Sequence, residues 1–261
     1  MTTPMAKQCA QTGAGLVEIM VALLISSIMV AGLVQIFASN KQGYRVQEAQ
    51  ARLQENTRLA SIFLRANIAK AGFHRNADQS PEDVFGVASF ITGTNNNTDS
   101  TDDIFDGTDT ITILYERDGV MTDCLGNPGS DTTLPPTPPG TISTNVYRVR
   151  NDNVLVCNNG ITPGFQPLID NVQDMRILYG EDTDGDGSVD QYNNAATVNF
   201  NSVLSVHVAL LLASDRDVKP DAERKTYTLL DRTVTLPPAP ATDRRQRRII
   251  ERVIALRNRI L

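Results

Sequence analysis

The stretch GAGLVEIMVALLISSIMVAGLVQIF, residues 13–37, decides the reading of this chain, and Glu18 is its awkward residue. From Ala14 to Ala38 the run contains no proline and no charge other than Glu18. At about 1.5 Å of rise per residue, a helix of that length crosses a hydrocarbon layer about 30 Å thick. An ionised carboxylate inside such a helix costs roughly 2.5–3.5 kcal/mol on insertion scales, so it marks a functional position and raises the question of its partner. No cation falls between Lys7 and Lys41. Either another molecule supplies the partner or the carboxyl stays protonated. Lys7 is the only charge among the first 13 residues, which fits a short cytoplasmic N-terminus. A cleaved secretory signal fits less well. The apolar run exceeds the usual h-region of about 7–15 residues, and no clear small-x-small cleavage site precedes the polar chain.

Beyond Ser39 the chain turns polar but keeps helical spacing. Val46, Ala49, Leu53, Ala60, Phe63 and Leu64 recur at three- and four-residue steps with polar residues between them, the pattern of an amphipathic helix. Gly72 offers a C-cap. The spacing therefore predicts one helix from about Ala14 to Ala71, apolar all round in its first half and one-sided in its second. Strands are expected at 110–115, 145–150, 154–157, 175–179, 203–212, 226–230 and 233–236. Asn151-Asp152-Asn153 supplies a hairpin turn. There is no βαβ alternation and no glycine-rich phosphate loop, so the fold class is α+β: a long N-terminal helix packed on an antiparallel sheet. The stretch 92–109, rich in Asn, Asp, Thr and Gly, is expected to be an exposed loop. At the C-terminus the apolar positions 249, 250, 253, 254, 256 and 260 suit a helix. The basic cluster at 244–248 reads as a solvated face, with a DNA- or partner-binding patch as the alternative.

The chain of 261 residues has room for one anchor and one globular domain. A net charge of −6 gives no general basic balance for nucleic acid, and no direct nucleic-acid partner is expected. Tryptophan is absent and aromatics make up 5%, which argues against a surface built for stacking sugars or bases. The two histidines, His74 and His207, belong to no catalytic constellation, and a non-enzymatic protein is expected.

Gly13-Ala14-Gly15-Leu16-Val17-Glu18 resembles the class III signal of type IV prepilins and type II secretion pseudopilins. Leu178-Tyr179-Gly180 before an aspartate ladder, and the ending Ala255-Leu256-Arg257-Asn258, resemble PilW-type minor pilins. The resemblance implies a pilin-like fold and cleavage by the prepilin peptidase after Gly13. Ala14 then becomes the first mature residue, with a methylated amine, at a position where the family usually has Phe or Met. Glu18 would meet the amine of a neighbouring subunit in the filament core, where two costly charges largely offset one another. The implied organisation is a leader at 1–13, a transmembrane and filament-core half-helix at 14–38, an amphipathic half-helix at 39–71 and a β-rich periplasmic domain at 72–261. The resemblance also makes the C-terminal segment an edge strand, against the helical spacing. The implied protein is a minor pilin that helps initiate type IV pilus assembly. It would sit in a tip or priming complex with other minor pilins and the major pilin, served by the inner-membrane assembly machinery. It would begin as a single-pass inner-membrane protein and end at the pilus tip or base on the cell surface, with twitching motility following indirectly. The alternative is a J-class minor pseudopilin of a type II secretion system.

Two chemical features remain. Cys9 leaves with the leader, and Cys124 and Cys157 are then an even pair in an oxidising compartment, expected to form a disulfide. The loop they close includes LPPTPPG at 134–140, which suits neither helix nor central strand. The second feature is DTDGDGSVD, residues 182–190. Read as a calcium loop, Asp182, Asp184 and Asp186 take positions one, three and five. Gly187 makes the turn, Ser188 offers its carbonyl at seven and Asp190 falls at nine. Asn193 stands at twelve in place of a bidentate Glu, and a strand rather than a helix precedes the loop. The expectation is a weak site for Ca²⁺, at extracellular affinities of about 10⁻⁴–10⁻³ M, with an acidic turn that binds nothing as the alternative.

Overall fold

Leu16–Ile68 forms one helix of 53 residues, α1, about 80 Å long at the standard rise. The computed structural model describes residues 15–76, 78–87, 89–96, 107–117, 121–128, 141–222, 224–236 and 242–259. Gly13, Ala14 and the proline-rich 134–140 lie outside the described residues. The helix changes character along its length. Every described residue through Arg45 is exposed, and the first buried one is Ala49, which is also where the larger of two compact units begins. From there Ala49, Leu53, Thr57, Ala60, Leu64, Asn67 and Ile68 are buried, the one-sided stripe that helical spacing predicts. Thr57 and Asn67 were missing from the apolar pattern because they are polar. Each satisfies itself on its own helix, Thr57 Oγ1 donating to the Leu53 carbonyl at 2.6 Å and Asn67 Nδ2 to the Phe63 carbonyl at 2.9 Å. α1 stops three residues short of the expected end and passes into a tight turn. Gly72 follows with φ +77°, and its N–H donates to the Leu114 carbonyl at 2.8 Å. A Cβ there would stand 2.8 Å from the Phe90 ring, so both the left-handed backbone and the close approach call for glycine.

Among the described residues, α1 is followed by a one-turn helix α2 (Pro81–Phe85) and eleven strands. These are β1 (Ile91–Thr94), β2 (Thr110–Arg117), β3 (Thr141–Arg150), β4 (Val154–Asn158), β5 (Gln166–Asp170), β6 (Val172–Glu181), β7 (Gln191–Asn193), β8 (Val203–Asp217), β9 (Lys225–Leu229), β10 (Arg232–Leu236) and β11 (Arg245–Ala255). The α+β architecture with a long N-terminal helix is as expected, but a single sheet is not. β1 to β5 form a five-stranded meander, β11-β8-β6-β7 a four-stranded sheet, and β9-β10 a separate hairpin. Each pairing is antiparallel. The Asn151-Asp152-Asn153 turn connects β3 to β4, with Asn153 at φ +64° and its N–H on the Arg150 carbonyl.

The core gathers Leu53, Ala60, Leu64 and Ile68 of α1 with Ile111, Ile113 and Tyr115 of β2, Tyr147 of β3, and one face of β6 and β8. The other face of β8 is also covered: Ala209 and Leu211 pack under Tyr227 and Leu229 of the β9-β10 hairpin. At about 25 cal/mol per Å² of apolar surface, such burial is the main stabilising contribution.

One sequence expectation is corrected. The stretch 92–109 is not an exposed loop throughout. Residues 92–94 belong to β1, and Thr108 and Asp109 are fully buried. Asp109 accepts from the N–H groups of Asn96 (2.9 Å) and Ile177 (2.8 Å) and from Arg176 (2.7 Å), so a polar-looking segment is drawn into the core by its own hydrogen bonds. At the C-terminus β11 is a strand at the sheet's end, as the resemblance implied and against the helical spacing.

Cys124 and Cys157 are bridged, both buried, with Cα atoms 6.5 Å apart. A cross-link across their separation of 33 residues contributes about 3–4 kcal/mol in the loop-entropy model. Next to it, burial opposes the charge on Asp123. Bonds from Asn159, from both nitrogens of Asn127 and from the Leu125 N–H outweigh that cost and hold its carboxyl below the usual range.

Candidate functional site

The first site is the exposed part of α1. From Leu16 to Phe37 the large apolar side chains are all at least half exposed; Leu16 is 76% exposed and Phe37 72%. They cover every side of the helix. Soluble proteins rarely leave so large a contiguous apolar surface bare. The 22 residues of this stretch, 16–37, match the length of a membrane span, and α1 is a candidate span by length and composition. Glu18 lies in the first turn of this helix, where a carboxylate also meets the positive end of the helix dipole. Its N–H donates to the Gly15 carbonyl at 2.9 Å. The side chain is exposed.

The second site is the loop between β6 and β7. Carboxylate oxygens of Asp182, Asp184 and Asp190 lie within 4.8 Å of one another. The loop folds around them through its own N–H groups. Gly185 and Gly187 donate to the two oxygens of Asp182 at 2.6 and 2.9 Å, and Asp186 donates to Asp184 at 3.2 Å. Asp190 accepts from the Thr183 N–H and hydroxyl, each at 2.7 Å, which holds its carboxyl below the usual range. Gly187, expected at the sharp turn, has φ +85°, and Gly185 has φ +80°. An all-oxygen set on a tight loop suits a hard cation.

Not every expected ligand joins this group. Asp186 turns to the Ser188 N–H at 2.7 Å and stands outside the trio. Asn193 lies in β7 opposite Tyr179 and donates to Glu181 at 2.8 Å. Glu181 was not singled out by the sequence reading, yet it anchors the base of the loop. Burial opposes its charge, but bonds from Asn193, the Asn199 N–H, Ser202 and Gln191 hold its carboxyl low. Its position just before the aspartate ladder was the available signal.

The basic cluster at 244–248 is largely spent on internal pairs. Arg245 and Arg247 both hold Asp243, and Arg244 stands 3.6 Å from Asp217. Arg248 remains exposed. The histidines sit on separate elements. His74 Nδ1 is 2.9 Å from the Gly72 carbonyl, whereas half-buried His207 packs on Tyr192 and lies 3.8 Å from Glu251.

Compared with known proteins, residues 141–258 match the family described as type IV pilus-assembly protein W. That segment runs from β3 through β11 and is PilW-like. No curated protein matches the chain. Among solved structures, a type IV-like pilin from Thermus thermophilus aligns with 17% identity and a TM-score of 0.45, covering 80% of this chain and 97% of its own.

Proposed function

We propose that this chain is a minor pilin that helps initiate assembly of a type IV pilus, acting in a tip or priming complex with other minor pilins. The observation that carries the reading is the match of residues 141–258 to a pilus-assembly family. The bare apolar helix with Glu18 in its first turn supports it, because that surface needs either lipid or the helices of neighbouring subunits around it. On this reading the prepilin peptidase cuts between Gly13 and Ala14, and the chain is held in the inner membrane with its β-rich domain in the periplasm. It then moves into the filament with the major pilin. The matched family concerns pilus assembly, so this reading is preferred to a type II secretion pseudopilin. The same proposal gives the Asp182–Asp190 loop a Ca²⁺ ion, with Asp182, Asp184 and Asp190 as its carboxylate ligands.

Electron microscopy of a deletion strain tests the main claim. Surface pili are expected to fall at least severalfold and to return with the wild-type gene. Normal piliation together with a lost type II secretion phenotype would sink the pilus reading in favour of the pseudopilin.

A further inference from the structure

β11 ends the four-stranded sheet, and among the described residues no strand pairs with its outer edge. It is 11 residues long and contains no proline. Its one register irregularity lies at the start, between Arg245 and Arg247, so the edge from Arg247 to Ala255 is regular. Folded proteins usually blunt such an edge by shortening, bulging or covering it. Here the edge opens instead onto a groove whose far wall is the second half of α1. Ile62 and Ala66 line it from the helix, and Val253 and Ala255 from the strand. Ile62 is 53% exposed and Val253 56%. The groove volume, 970 Å³, reaches the upper end of small-ligand clefts. With an open strand edge as one wall, it suits an extended polypeptide better than a compact small molecule.

The charge around this groove is one-sided. Arg65 of α1, Arg252 of β11 and Arg257 line it, and Arg248 stands further along the same edge. All four are exposed. Among the described residues none of them is paired with a carboxylate. Arg252 donates to Ser61 Oγ at 2.7 Å and to the Glu251 carbonyl, which leaves its charge uncompensated. Glu251 itself lies 3.8 Å from His207. A strip of unpaired arginines on a chain of net charge −6 is a local field of the opposite sign, and it attracts an anionic partner.

We propose that β11 is an acceptor edge for an extended acidic segment of a partner protein. The segment adds as a further strand, its backbone bonding to the free groups of β11 and its carboxylates meeting Arg65, Arg252 and Arg257. In strand addition the main chain supplies affinity and alternate side chains supply specificity. Here the alternate positions are acidic on the side that faces α1, toward Arg252 and Arg65, and apolar on the other side, toward Val253. The inference stands on the edge and its charge, and does not depend on the pilus reading.

The test uses the full chain in detergent micelles and a fluorescein-labelled peptide of alternating valine and glutamate, blocked at both ends and about nine residues long. Saturable anisotropy is expected. Binding should weaken at least tenfold when lysine replaces glutamate, and equally when alternate amides along one edge are N-methylated. The double variants Arg65→Gln/Arg252→Gln and Arg65→Glu/Arg252→Glu should weaken it similarly while keeping the wild-type circular dichroism and urea midpoint. A labelled DNA duplex serves as a rival anion. Failure of the glutamate peptide to bind overturns the proposal and leaves the arginines as edge protection only. Unchanged binding of the N-methylated peptide, or of both double variants, also overturns it. So does arginine-dependent binding of the duplex without the peptide, which would make the strip a polyanion patch.

Discussion

Asp174 on β6 is only 4% exposed, and an Arg232 nitrogen stands 3.9 Å from it, beyond hydrogen-bond reach. Its Oδ1 is among the buried atoms left without a hydrogen bond. Two residues on, Arg176 is fully engaged, donating to Asp109 and Asp231 at 2.7 Å each. Burial pushes the Asp174 carboxyl up to about 6; Arg232 pulls it down and the charge of Asp109 pushes it further up. A buried carboxyl raised above its unfolded value of about 3.9 keeps its proton in the folded state after the unfolded chain has lost it. Stability therefore falls as pH rises between about 4 and 6, by an amount on the order of 3 kcal/mol. The strongly depressed carboxyl works in a different window. Burial opposes the charge of Asp243, but Arg245 and Arg247 hold its carboxyl down to about 2, so its contribution is lost only as pH falls below about 4. Urea unfolding of residues 42–261 should show the wild-type midpoint declining across pH 4–6. Asp174→Asn should remove most of that decline, what is left belonging to Asp109, whose carboxyl burial also holds above its usual range, and should leave the variant at least as stable as wild type at pH 7.5. A variant that keeps the slope would show that another group titrates there.

Among the elements, the ones that face two environments were the easiest to read. In β2 the alternation at 110–115 is plain, because Ile111, Ile113 and Tyr115 enter the core while Thr112 and Leu114 are only half-buried. The stripe on α1 is equally plain until Thr57 and Asn67, which bury polar groups by bonding their own helix. β11 was the hardest. Ile250 and Ile254 serve the main core, whereas Ile249 packs with the β9-β10 hairpin on the other face. Two-sided contact breaks the period of two and leaves an apolar spacing that imitates a helix. β1 was hidden for another reason: Ile91-Thr92-Gly93-Thr94 is short and set in polar sequence, and its partner β2 supplies the pattern. At the candidate site the ladder showed the turn at Gly187 and three of the carboxylates, but not the second turn glycine, Gly185, nor Glu181, whose role comes from residues up to 21 positions away. Loop and strands together carry a prediction. Carboxylates of Asp182, Asp184 and Asp190 within 4.8 Å repel one another, and a bound Ca²⁺ removes that repulsion. A ligand that binds only the folded state stabilises it by about 2.7 kcal/mol at a hundredfold excess over Kd. The melting temperature of residues 42–261 should rise in about 10 mM Ca²⁺ relative to chelator, the range set by an extracellular-grade site. Asp182→Ala/Asp190→Ala should abolish the rise. No rise in wild type, or an equal rise in the variant, would leave the loop as an acidic turn.

At the scale of the whole molecule, the chain joins a β-rich unit that buries its own core to a helix whose first half buries nothing by itself. Such a helix is an incomplete element. In a bilayer, lipid covers it. In a filament, the corresponding helices of neighbouring subunits would do so, and the energetic problem then shifts from apolar surface to Glu18. A carboxylate alone in that low-dielectric setting is costly, and pairing with the α-amine of a neighbouring chain offsets the cost without making the pair strong net glue. On the proposed reading such a pair would act on register: a subunit whose Glu18 missed its amine would leave two charges unsatisfied, and that arrangement would be disfavoured. Removing the carboxylate should have opposite consequences in the two settings. Membrane insertion should be unchanged or slightly better in Glu18→Ala, because the residue that opposed partition is gone. Incorporation into pili should fall at least severalfold, because the partner amine is left buried alone. Fractionation of membranes and sheared pili, with immunoblotting of both, measures the two quantities in one preparation. Mass spectrometry of the membrane fraction should find both wild type and variant beginning at Ala14, so that a processing defect is separated from an assembly defect. Glu18→Ala present in sheared pili at the wild-type ratio would sink the pairing account. A loss from the membrane fraction itself would instead make Glu18 a determinant of insertion.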